Sequence, residues 1–283
     1  MRQKKWFRRL VFFLCGLFVA YVFGCFAIAD MIITRKRVPS IKPPQFSTWE
    51  PVPNVVSWTS PAVPEGNAKN LFIFAHGIKA DRSFFANTAT VLMKRGYDVV
   101  LLPMPGHDVN PDPHIGFGVT ESKLIKQTID AVKADHIVLV GCSMGGAGTW
   151  LASDHPRVHG VVTESAYGRF EPITHIWFNR VFTGGDILFR PSVWIASNKL
   201  GLNPSDINPV ETAAKWDHKK PALVIHGPID SLIPYAQGQE LAKVSGAELW
   251  SPENREHGKC QDEGDAYIDH VESVMKRVLH TNR

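Results

Sequence analysis

The sequence predicts an α/β domain: a mostly parallel central sheet with helices on both faces, one apolar helix ahead of it and a small helical insertion within it. Three observations carry this expectation. Short apolar runs alternate with stretches of helical periodicity from residue 70 to the C-terminus. One of those runs, residues 136–140, leads straight into Gly141-Cys142-Ser143-Met144-Gly145, where the pattern turns from strand-like to helical. A single uncharged apolar stretch, residues 10–29, stands near the N-terminus.

A chain of 283 residues with 44% hydrophobic composition can bury one sizeable core. The formal charge of +4 is modest, and its clusters lie in the first ten residues and at Arg35, Lys36 and Arg37. That distribution gives no folded basic face, so nucleic acid is excluded as a partner. The four cysteines, Cys15, Cys25, Cys142 and Cys260, show neither a disulfide framework nor zinc spacing.

Taken in chain order, Arg2, Lys4, Lys5, Arg8 and Arg9 precede residues 10–29. At about 1.5 Å per residue that stretch crosses a hydrocarbon core of about 30 Å as one helix. The heavier basic cluster keeps the N-terminal end cytosolic, and the body of the protein then faces outward. Two other readings compete with this single-pass anchor: Ala27-Ile28-Ala29 resembles a cleavable signal-peptide site, and Val22-Phe23-Gly24-Cys25 is a poor lipobox. The anchor is preferred, and all three readings export the body. Residues 1–37 are thus read as basic segment and anchor, the Pro-rich residues 38–53 as a linker, and residues 54–283 as the folded domain. On this reading, removal of residues 1–37 leaves a soluble, active remainder.

Strands are expected over residues 70–75, 97–102, 136–140, 158–163, 222–226 and 248–251. Helices are expected over residues 83–95, 120–134 and 267–279, the last with Val271, Val274 and Val278 on one face. Such alternation implies a mostly parallel sheet whose ligand site lies beyond the carboxyl ends of its strands.

The Gly-x-Ser-x-Gly turn places a lone serine between small residues at a strand end. A sharp, strained turn there lifts the Ser143 hydroxyl above the sheet, while Gly141 and Gly145 avoid clashes with the neighbouring backbone. A serine hydroxyl needs a base, and the base an orienting acid. Asp230 follows the strand at 222–226, and His257 follows the strand at 248–251. Glu164, one strand after the serine, is the rival acid; Asp230 is preferred.

From about Asn54 onward the chain resembles the α/β-hydrolase superfamily, especially its esterase, lysophospholipase and serine-aminopeptidase-like branches. The stretches FAHGIKADRSFF, VGCSMGGAGTW, IHGPIDSLIP and REHGKC carry the resemblance. It implies the α/β-hydrolase fold and a Ser143–Asp230–His257 triad. The family's oxyanion loop falls on His76-Gly77, which makes the N–H groups of Ile78 and Met144 the oxyanion donors. The family's Gly-His-Gly-x-Ser loop is replaced here by Gly106-His107-Asp108-Val109-Asn110.

Residues 167–220 form an insertion carrying Phe170, Ile173, Trp177, Phe178, Phe182, Phe189 and Trp194, too apolar for a plain connection. A helical lid over the serine is expected, with some of these side chains lining a pocket. The reading that results is a serine hydrolase, carboxylesterase or lipase-like, acting on a small ester or a lipid-like substrate with no metal or organic cofactor. A peptidase or thioesterase with the same residues, or a tethered binding protein without turnover, is the alternative.

Overall fold

The computed structural model describes residues 2–181 and 186–281, and for residues 2, 3, 175, 177–181 and 186 the backbone alone. In chain order the elements are α1 (Arg2–Ile33), β1 (Ser47–Val52), β2 (Val55–Thr59), β3 (Asn70–Ala75), α2 (Ala86–Lys94), β4 (Asp98–Leu102), α3 (Val119–Ala131), β5 (His136–Cys142), α4 (Met144–Ala152), β6 (Gly160–Glu164), α5 (Phe170–Val181), α6 (Asp186–Leu200), α7 (Pro209–Ala213), β7 (Ala222–Ile225), α8 (Tyr235–Ser245), β8 (Glu248–Trp250) and α9 (Asp265–Thr281).

The strands make one 8-stranded sheet in the order β1-β2-β4-β3-β5-β6-β7-β8. β1 and β2 are antiparallel, and every pairing from β4 to β8 is parallel. The expected mostly parallel sheet is therefore present, with an antiparallel edge added. That edge lies partly inside the Pro-rich stretch read as linker. β1 alternates between half-buried and exposed along Ser47–Val52 and carries Pro51, a residue that only an edge strand tolerates.

Central strands are buried on both faces because their runs are continuously apolar. Along β3, Leu71, Ile73 and Ala75 enter one core with Leu139 and Trp150, while Phe72 and Phe74 enter the opposite core with Val140, Val271 and Met275. The amphipathic α9 covers the second side with Val271, Val274 and Val278, as its spacing implies. The insertion is helical, built from α5, α6 and α7.

The largest departure from the sequence reading concerns the N-terminal helix. Cys25, Ala29 and Ile33, spaced four apart and so on one face, are buried, and Ala29 and Ile33 belong to the main core. The linker is pinned as well. Ile115 N–H donates to Ile33 O at 2.9 Å, Thr34 pairs with His114, Arg37 donates to Asn110 O, and Ser40 donates to both Asp108 oxygens at 2.9 and 2.7 Å. Residues 25–37 thus pack against the domain, which a separate anchor and linker would not do.

Candidate active site

Five parallel strands end at one edge of the sheet, and each delivers a piece of the site. β3 delivers His76-Gly77-Ile78, β5 delivers Ser143, β6 delivers Ser165, and the loops after β7 and β8 deliver Asp230 and His257. Ser143 has φ 53° and ψ −117°, the strained turn expected between strand and helix. Only glycine fits at the two flanking positions. A Cβ on Gly145 would lie 2.1 Å from Ala75 O, and one on Gly141 would lie 2.4 Å from Thr149 Oγ1.

His257 Nε2 lies 2.9 Å from Ser143 Oγ, and His257 Nδ1 lies 2.8 Å from Asp230 Oδ2. The other Asp230 oxygen accepts from the Leu232 and Ile233 N–H groups, each at 2.9 Å. Burial alone would raise the Asp230 pKa. Hydrogen bonds to His226 and His257, the His257 charge and the Ile233 N–H outweigh burial and hold the carboxyl well below the usual carboxylate range. The lowered pKa favours the carboxylate, which suits Asp230 to keep the proton of His257 on Nδ1 and leave Nε2 free to accept.

Glu164 contacts neither Ser143 Oγ nor the His257 ring by hydrogen bond. Its Oε1 accepts from Cys260 N–H at 2.8 Å, and its backbone oxygen accepts from Ser143 N–H at 2.8 Å. Ser165 Oγ accepts from Gly258 N–H at 3.2 Å. The end of β6 therefore holds the loop carrying His257. Ser231 Oγ, bonded to Glu256 at 2.9 Å, ties that loop to the one carrying Asp230.

His226, in the loop at the end of β7, lies close to the Asp230 carboxylate. Its buried Nε2 is 3.0 Å from Ile233 O and 3.4 Å from Asp230 Oδ2, so the ring braces the Asp230 carboxylate. Spacing alone gives no sign of this, because the loop must first fold back over the strand end.

His76 is buried and neutral: burial, helped by His107, lowers its pKa to about 4. Nδ1 is bonded to Gly77 O at 2.9 Å and Nε2 accepts from Met104 N–H at 3.2 Å, which fixes the His76-Gly77 turn. Gly77 approaches Ser143 so closely that a Cβ there would sit 3.0 Å from the Ser143 Cβ. The next residue, Ile78, has an N–H with no partner among the described residues. Met144 opens α4, where a first-turn N–H has no intrahelical acceptor. These are the two N–H groups that the sequence reading names as oxyanion donors. Cys142 is buried, and burial pushes its thiol far upward, which leaves it unreactive.

The departure at Asp108 has a structural role. Asp108 forms a buried ion pair with Arg82 and accepts from Ser40, while Arg82 also donates to Val56 O and stacks 4.5 Å over Trp58.

A cavity of about 480 Å³ opens on Ser143 and His257. Of the insertion aromatics, Phe170 and Phe189 line it, Ile173 is core, and Trp194 is exposed on the outside. The side chains of Trp177 and Phe178, and the whole of Phe182, lie outside the described residues. Among the described residues no cluster of His, Cys, Asp and Glu is placed to hold a metal ion.

A family model described as the alpha/beta hydrolase fold matches residues 70–183. No curated protein matches the sequence. Among solved structures, an esterase from Pyrococcus furiosus is similar at 18% identity with a TM-score of 0.69, covering 87% of this chain and 98% of that one. A hydrolase from Pseudomonas aeruginosa matches at 14% identity and TM-score 0.59, over 83% and 99% of the two chains. An esterase from Exiguobacterium antarcticum matches at 15% and 0.58, over 81% and 99%. Sheet order, family model and structural matches agree that the chain has the α/β-hydrolase fold.

Proposed function

We propose that the protein is a serine hydrolase that cleaves carboxylic esters through an acyl-enzyme on Ser143. The observation that carries this reading is the unbroken hydrogen-bonded chain from Ser143 Oγ through His257 to Asp230, at 2.9 and 2.8 Å. His257 Nε2 takes the hydroxyl proton as Oγ attacks the ester carbonyl carbon, and the carbonyl electrons move onto oxygen. The N–H groups of Ile78 and Met144 stabilise that oxyanion. Collapse expels the alkoxide, which receives the proton from Nε2. Water, deprotonated by the same imidazole, then releases the acid and regenerates Ser143. Asp230 holds the tautomer and balances the imidazolium charge.

Apolar walls around Ser143 favour acyl chains over polar peptides, and the structural neighbours that carry the name esterase support the same substrate class. Each buried methylene is worth about 0.8 kcal/mol, so kcat/KM rises from acetyl to roughly hexanoyl or octanoyl esters, with amides far slower because their leaving group is poorer.

α1 is the one described helix long and apolar enough to cross a membrane. Its last turns, buried at Cys25 and Ala29, support a retained anchor over a cleaved leader, since cleavage after Ala29 would strip core residues. The basic N-terminal cluster puts that end in the cytosol and the catalytic domain outside.

The test is hydrolysis of chromogenic esters of graded acyl length by full-length protein in mild detergent, beside Ser143→Ala. Turnover that vanishes in the variant supports the reading. Equal hydrolysis by Ser143→Ala contradicts it.

A further inference from the structure

We infer that α1 is one wall of the substrate tunnel, and that the substrate is a single-chain lipid ester that enters from the bilayer between α1 and α6. This rests on the ester-hydrolase reading and names its substrate class and route.

The cavity that opens on Ser143 is not closed by the α/β core. One side is Ile28, Met31 and Ile32 of α1, and the facing side includes Val193, Ala196 and Leu200 of α6. The two helices lie side by side and run in the same direction. Tyr21 Oη donates to Ile187 O at 2.7 Å, Gly24 faces Leu188, and Asp30 pairs with Lys199. α1 is also fixed from below by buried Ala29 and Ile33 and by the pinned linker, so its wall belongs to the fold and is not a chance approach.

The outer surface of this helix pair carries large exposed apolar side chains beside the Asp30–Lys199 ion pair. Phe23 and Met31 on α1 are 72% and 68% exposed, and Ile187 and Trp194 on α6 are 72% and 69% exposed. In water such a patch is a liability; beside a membrane span it continues the span. α1 has 32 residues, about 48 Å of helix, against a hydrocarbon core of about 30 Å. Its final turns, which line the cavity, therefore reach the interface, and Trp194 on α6 is the residue type that settles there. Met31 both lines the cavity and faces outward, which marks the opening between tunnel and lipid.

A chain drawn in along this seam leaves hydrocarbon for an apolar tunnel and brings its ester carbonyl to Ser143. Hydrolysis splits the acyl–oxygen bond with one water, giving a free fatty acid and an alcohol.

The experiment uses full-length protein reconstituted in phosphatidylcholine vesicles, with butyryl and dodecanoyl nitrophenyl esters as probes. Ile28→Trp and Ile32→Trp narrow the tunnel and should lower the dodecanoyl-to-butyryl ratio of kcat/KM by about tenfold or more. Ile28→Ala widens it and should shift the ratio the other way. Val19→Trp, on the same helix but away from the cavity, should leave the ratio unchanged. Fluorophosphonate labelling of Ser143 in each variant reports an assembled site. Labelled variants whose ratios all equal that of the wild type overturn the tunnel assignment and leave ester hydrolysis standing; a wild type that cleaves neither ester overturns both readings. For the route, a hexadecanoyl ester placed in the protein's own vesicles should be cleaved faster than one carried by separate vesicles. Equal rates overturn entry from the bilayer.

Discussion

At the scale of single residues, the local sequence states its own steric needs around Ser143. A non-glycine residue at φ 53° costs about 1–3 kcal/mol, and Gly141 and Gly145 leave the space in which the surroundings enforce it. That is why the nucleophile candidate, and with it Asp230 and His257 at later strand ends, was readable from sequence. His226, Ser165 and Glu164 were not readable as supports, because each acts across a loop whose path no local pattern encodes. Ser143→Ala should lower kcat by roughly 10⁴- to 10⁶-fold while the melting temperature stays near that of the wild type. Asp230→Asn should cost roughly 10³- to 10⁴-fold, since an amide favours the wrong tautomer; full loss in Glu164→Gln with a near-normal Asp230→Asn would reverse the assignment of the acid. Glu121 offers a test in pH. Burial raises its pKa from 4.5 to about 7 despite the N–H groups of Gly116 and Gly118. Its folded-state pKa exceeds the unfolded one, so its contribution to stability is complete below about 4.5 and is lost as pH rises through about 7. Denaturant unfolding should show Glu121→Gln gaining on the wild type between pH 5 and pH 8, on the order of a few kcal/mol at about 1.4 kcal/mol per pKa unit.

At the scale of elements, the runs that became β3 to β7 announced themselves because strands buried on both faces are largely apolar. β1 and β2 did not, since edge strands carry polar residues and Pro51 and Pro53 read as linker. The loop after β4 looked like a family motif with its second glycine missing. Asp108, at φ 48°, replaces backbone freedom with a buried ion pair that fastens Arg82 and the linker residue Ser40 to this loop. Arg82→Leu leaves the Asp108 carboxylate without its buried partner, and chemical denaturation should register a loss of about 3–5 kcal/mol. A loss under 1 kcal/mol would mean that water reaches the carboxylate and that the linker is held by other contacts.

For the whole molecule, the decisive relation joins the N-terminal helix to the domain. Residues 10–29 are apolar all round, and a helix of that kind gives no hint of which face meets protein and which meets lipid. The structure divides it: Cys25, Ala29 and Ile33 face the core, while Phe23 and Phe26 face away. Ile33→Ala should therefore destabilise full-length protein by about 2–4 kcal/mol, as for other buried aliphatic residues, and removal of residues 1–37 should lower the melting temperature further and flatten the acyl-length profile. An unchanged melting temperature and profile after that removal would restore the separable anchor of the sequence reading. The expectations about activity presuppose that Ser143 is a nucleophile activated by His257. The most direct measurement is mass spectrometry of full-length protein after treatment with a fluorophosphonate. The account predicts one phosphonyl adduct, on the peptide containing Ser143, absent from Ser143→Ala and formed far more slowly in His257→Ala. No adduct, or an adduct on another residue with Ser143 unmodified, would contradict it.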